Sequence, residues 1–126
     1  MNQALFCSIC VDASLPREAM ASIVAAVTGG VVADGDVDCP WACIAVDDDY
    51  GDFEIRQKDP DDFLGWRTLL EVMPPDDADR GKVVQGVISL MNGLLARGMR
   101  VLGQAEYAEE LPGAGEVAHQ TATRPS

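Results

Sequence analysis

Two stretches of helical periodicity, each set between stretches of strict alternation, constrain this chain more than any other feature. In the first, Met20, Ile23, Val24 and Val27 recur at i, i+3, i+4 and i+7, the spacing that lines one face of a helix. Pro16 and Glu18 suit its first turn, and Thr28-Gly29-Gly30 ends it. In the second, Val84, Val87, Ile88, Met91, Leu94 and Leu95 form a longer stripe. It opens at Asp76, Asp77 and Asp79, where the helix dipole favours anions, and closes at Gly98. Residues 4–12 alternate instead, with Leu5, Cys7, Ile9 and Val11 on one face and Phe6, Ser8 and Cys10 on the other. Val31–Asp38 and Trp41–Asp47 read as extended, and Pro40 between them marks a bend or an edge because it cannot donate to a ladder. Residues 47–62 read as an acidic loop with a short strand at Phe53–Gln57. From Phe63 to Met73, Leu64, Trp66, Thr68, Leu70 and Val72 oppose Arg67, Leu69 and Glu71. Met99–Tyr107 alternates as a last strand.

The order is therefore strand, helix, one or two strands, strand, helix, strand. That order predicts an α+β fold of the ferredoxin-like, split βαβ type, a sandwich with two helices on one face of an antiparallel sheet. A single domain is expected over residues 1–112, since the 126-residue length suits one core. Residues 113–126 are poor in bulky apolar side chains and are expected to form a disordered tail. The acidic stretch Asp59 to Leu64 before a strand, and the ending Tyr107 to Pro112 after the last one, resemble small uncharacterised ferredoxin-like proteins of GC-rich bacteria. That resemblance implies the fold and no activity. Seven of the nine basic residues are arginine, a bias that agrees with a GC-rich genome.

Acids outnumber bases 21 to 9, for a net charge of -12. Such a chain is unsuited to nucleic acid, whose phosphates call for Lys and Arg, and to an anionic membrane surface. No apolar run approaches the ~20 residues of a membrane helix. Met1-Asn2-Gln3-Ala4 carries no basic signal-peptide region, which reads as cytoplasmic. Cys7, Cys10, Cys39 and Cys43 are then expected to be reduced thiols. They do not suit a metal: Cys7 and Cys10 lie an odd number apart on a strand, so they face opposite ways, and the second pair has the wrong spacing for zinc. Asp47–Asp52 fails as a calcium loop, with Gly51 one place early and Lys58 at position twelve. The one histidine, His119, falls in the expected tail, which argues against Cys–His or Ser–His catalysis. Gly29-Gly30 follows a helix rather than preceding one, so no phosphate loop is expected. Neither cofactor nor metal is expected, and a non-enzymatic role is favoured.

Residues 34–62 hold eleven acids against Arg56 and Lys58, or -9 of the total charge. Asp34, Asp36 and Asp38 alternate, so on one strand they would form a carboxylate row spaced about 7 Å apart. Trp41, Tyr50 and Phe53 are interleaved with the acids. The predicted partner-binding surface comprises Asp34, Asp36, Asp38, Trp41, Asp47, Asp48, Asp49, Tyr50, Asp52, Asp61 and Asp62. It is expected to face outward, unneutralised, and to dock a basic protein as an inhibitor or immunity-type module. Solubility and edge protection are the plainer alternative. A different class of function, a dimeric ligand-binding domain or enzyme, would use the open sheet face: Ser8, Cys10, Arg67, Glu71, Gln104 and Glu106. Gly86 and Gly93, on the otherwise neutral outer face of the second helix, suggest a homodimer contact through small residues.

Overall fold

In the computed structural model, residues 1–119 are described. The chain runs β1 (Cys7–Val11), α1 (Arg17–Thr28), β2 (Val31–Ala33), β3 (Asp36–Cys39), β4 (Ala42–Asp47), α2 (Phe53–Lys58), β5 (Thr68–Met73), α3 (Arg80–Ala96) and β6 (Val101–Gln104). Short 3-10 turns occupy Gln3–Leu5, Phe63–Gly65 and Ala108–Glu110. The strands form one sheet in the order β2-β3-β4-β5-β1-β6, and every neighbouring pair is antiparallel. This is an α+β fold with a six-stranded antiparallel sheet and three helices.

The two predicted stripes face the sheet, with Ile23, Val27, Ile88 and Leu95 only partly buried at their margins and Ala21, Val83 and Leu90 buried beside them. Met20, Ala21 and Val24 of α1 and Val83, Val84, Val87, Leu90, Met91 and Leu94 of α3 pack on one face of the sheet. They meet Cys7, Ile9 and Val11 of β1, Val37 of β3, Ile44 and Val46 of β4, Leu70 and Val72 of β5, and Val101 of β6. Gly29 (φ +74) ends α1 in the left-handed region. Asp79 begins α3, its carboxylate accepting from the Lys82 N–H, so Asp76 and Asp77 fall in the turn before the helix. Among the described residues no helix is long and apolar enough to cross a membrane.

Four expectations require correction. Val31–Asp38 is not one strand. Asp34 (φ +53) and Gly35 (φ +83) both take left-handed backbone and form a two-residue hairpin turn between β2 and β3, the geometry for which Asp-Gly is suited. Phe53–Gln57 is helical, because Asp52 caps α2 by accepting from the Ile55 N–H at 3.0 Å. The alternation from Phe63 does not run through to Met73. The 3-10 turn at Phe63–Gly65 resets it, leaving Leu64 exposed and turning Trp66 onto the face opposite Leu70. There Trp66 joins Cys10, Leu69 and Leu102, with Phe63 against them, in a second small core. The expected tail is placed as far as His119: a turn through Gly113, Ala114 and Gly115 brings Ala118 back to pair with Val101. The remainder of that tail, residues 120–126, lies outside the described residues.

Candidate functional site

Most of the predicted acidic surface is engaged within the molecule. The Asp36 Oδ1 accepts from the Arg17 guanidinium at 2.8 Å and from the Val46 N–H at 3.0 Å. Arg17 also donates to the Val46 carbonyl, and its own backbone N–H, at the start of α1, donates to Asp48 at 2.9 Å. Burial pushes the Asp36 carboxyl up, but donation from Arg17 and Val46 and the charge of Arg17 outweigh it and hold the group below its ordinary range. Asp61 accepts from Arg100 at 2.8 Å, and Asp12 takes two further Arg100 donors. The same guanidinium lies over the Trp66 ring, 5.1 Å from its centroid. Asp52 and Asp62 cap short helical turns, and Asp47 and Asp59 accept from the N–H two residues on. Asp49 lies 3.9 Å from Arg67. Thus three of the acids expected to stand outward and unneutralised, Asp36, Asp49 and Asp61, are paired with the chain's own arginines, and four others, Asp47, Asp48, Asp52 and Asp62, accept from its backbone N–H groups. Asp34 and Asp38 are exposed. The carboxylate row is broken by the turn at Asp34-Gly35.

An Asp36→Ala substitution tests the internal role of the first of these. At pH 7 it should cost about 1–3 kcal/mol, because the half-buried Val46 N–H and Arg17 lose their acceptor. A carboxyl held below its unfolded pKa stabilises the fold above that value and loses the contribution as pH falls through the folded one. The gap between wild type and variant in denaturant titrations should therefore narrow below about pH 4.

Beside these carboxylates, large apolar side chains also stand outward. Tyr50 is 56% exposed, Phe53 61% and Leu64 54%. The folding of the α2 region brings the backbone segments that carry them together. Tyr50 N–H donates to the Arg67 carbonyl and Asp52 N–H to the Leu64 carbonyl, lacing residues 50–52 against 64–67. Gly51 and Gly65 permit this. A Cβ on Gly51 would overlap the backbone of Gly65 and Trp66, and one on Gly65 would overlap the Arg56 backbone. Arg56 turns inward, stacking on Phe53 and donating to the Gly65 carbonyl at 3.0 Å. The result places three exposed apolar side chains on adjoining backbone segments, with Asp49, Asp52, Glu54, Asp61 and Asp62 interleaved along the chain. The predicted surface included Tyr50, with Phe53 noted among the acids but not assigned to it, and missed Leu64, whose exposure follows from the 3-10 turn.

Trp41 does not belong to this surface. It packs half-buried against the main core, over Gly86, where an added Cβ would overlap its indole. Gly93 receives Val27 in the same way. The close approaches for which these two glycines were assigned to a dimer contact are thus made within the chain.

The open-face residues assemble only in part. Ser8 is the register partner of both Glu71 and Gln104, so these three share a row. Cys10 is buried in the next row between Leu69 and Leu102, beneath the second core. Arg67 precedes β5 and Glu106 follows β6. Burial also raises all four thiols, Cys7 to about 12, so none is activated as a nucleophile. A cavity of about 410 Å³ lies elsewhere, lined by Met1, Cys43, Met73, Pro74 and Pro75 among others. Among the described residues no group of three or more His, Cys, Asp or Glu side chains could hold a metal ion. Comparison with protein-family models, with curated proteins and with solved structures finds no match.

Proposed function

We propose that this chain is a protein-interaction module that docks a basic partner through Tyr50, Phe53 and Leu64 and the carboxylates around them. The observation that carries this reading is the exposure of three large apolar side chains, each more than half open to solvent, in and next to the most acidic segment of the chain. Exposed apolar groups cost solubility unless something covers them. Aromatic anchors inside a charged rim are the usual anatomy of an interface hot spot, and rim charge governs encounter with an oppositely charged partner. An inhibitor or immunity-type role, in which the module neutralises a basic enzyme, fits this arrangement.

The fold reading that accompanies it is ferredoxin-like. β1, α1, β4, β5, α3 and β6 are taken as two interleaved βαβ units, with the β2–β3 hairpin added at one edge. Its support is that β5 lies between β1 and β4, and β1 between β5 and β6. The four free cysteines agree with a reducing, cytoplasmic setting.

The test is capture by the immobilised chain from a cell extract, with Phe53→Ser/Leu64→Ser as the comparison. The wild-type chain should retain a protein of net positive charge that elutes with added salt, and the double variant should lose it. Equal retention by both forms, or retention indifferent to salt, would contradict the reading.

A further inference from the structure

The two edges of the sheet are treated differently. At β6 the chain returns, and Ala118 exchanges two backbone hydrogen bonds with Val101, at 2.8 and 3.0 Å. At the other edge, β2 has β3 on one side and, among the described residues, no strand on the other. Natural edges are blunted by short length, charge, proline or a bulge. β2 is short, three residues, but carries no charge, proline or bulge within it: it is Val31-Val32-Ala33, every residue exposed, Val31 by 68%.

Register shows which groups this edge offers. The two-residue turn at Asp34-Gly35 makes the flanking pair Ala33 and Asp36 a hydrogen-bonded one. Pairs alternate along an antiparallel ladder, so Val32 and Val37 form a non-bonded pair. The N–H and C=O of Val32 are then directed away from β3, toward the open side. Val31 and Val32 project to opposite faces of the strand.

Charge selects among occupants. Asp34 adjoins β2 in the turn, and Asp38 is the register partner of Val31. Only Asp36, between them, is paired with an arginine. A second copy laid along β2 would bring a second set of these carboxylates to the same edge, and each copy carries a net charge of -12. A strand bearing Lys or Arg beside apolar residues meets the edge without that repulsion. We infer that β2 accepts an extended strand from a cationic partner. The Val32 backbone extends the ladder, Val31 and Val32 cover the strand's apolar residues, and Asp34 and Asp38 meet its basic ones. This site is separate from the surface at Tyr50, Phe53 and Leu64 and stands without it.

The probe is a short synthetic peptide alternating lysine and valine, titrated into the full chain, with a glutamate–valine peptide as control. Binding should saturate, weaken with salt, and slow hydrogen exchange of the Val32 N–H by about tenfold or more. Val32→Pro removes that N–H without touching the β2–β3 ladder, and should weaken binding by about tenfold. Val32→Thr, which keeps the N–H, should bind like wild type. Asp34→Asn/Asp38→Asn should weaken binding without altering the edge backbone, and it serves if the proline variant does not fold. Phe53→Ser/Leu64→Ser should leave peptide binding unchanged, which separates this inference from the proposed function. The inference is overturned if Val32→Pro folds and binds equally well, if neither peptide binds, or if the glutamate peptide binds as tightly. Protection of Val32 without peptide, accompanied by a doubled mass in solution, would assign the edge to a second copy and overturn it too.

Discussion

Leu70→Ala should lower the unfolding free energy by about 3–5 kcal/mol, whereas Leu69→Ala, one residue earlier on β5, should cost only about 2 kcal/mol. The two side chains point to opposite faces of the sheet. Leu70 is fully buried between Ile9 and Val46, its register partners, and under the helices α1 and α3. Nothing there can collapse into the space it leaves, because both helices are held on the sheet by many other fully buried side chains. Leu69 lies in the smaller core with Cys10, Trp66 and Leu102, under a segment held partly by exposed turns. Relaxation is cheaper there. Since a domain of this size is stable by only about 5–15 kcal/mol, the first substitution removes a large share of the total. Urea titrations of the two variants check the ordering, and equal losses would place the main core elsewhere.

Gly86→Ala should also destabilise the protein, by about 1–3 kcal/mol, despite a helix-propensity change that favours alanine by about 1 kcal/mol. The added methyl would occupy the space of the Trp41 indole, which crosses α3 at this position. The ring belongs to the turn joining β3 to β4, so moving it disturbs the packing of buried Ala42 beside it. In a Trp41→Ala background the obstacle is gone, and Gly86→Ala should become neutral or stabilising. That reversal of sign, read from a double-mutant cycle of thermal unfolding, separates contact with Trp41 from any intrinsic preference of the helix.

The contrast between Leu70 and Gly86 shows what the sequence carries. Stripes such as Met20–Val24 and Val84–Leu94 are local and repeat over several turns, so they identify α1, α3 and the face each buries. β1 is legible for the same reason. The Asp34-Gly35 turn was also available locally, as an Asp-Gly pair between alternating residues. The alternation of Asp34, Asp36 and Asp38 across it masks that signal. What lay beyond local pattern was tertiary. The placement of Trp41 over Gly86, and of Arg100 between Asp12 and Asp61, joins residues that are dozens of positions apart. The acidic segment shows the consequence. Counting charges located a surface, but the carboxylates of Asp36, Asp52, Asp61 and Asp62 turned out to hold turns, caps and arginines. The adjoining exposed apolar side chains depend on a six-residue helix and a single 3-10 turn, elements too short to leave a periodic signal.

The proposed docking surface is tested most directly by rates, measured with a basic protein captured on the wild-type chain. Glu54→Gln/Asp49→Asn removes rim charge and should slow association several-fold and flatten its dependence on salt, with dissociation little changed. Phe53→Ala should instead hasten dissociation by about tenfold or more and leave association nearly as it was. If both variants associate and dissociate at wild-type rates, the surface around Phe53 is not where the partner sits.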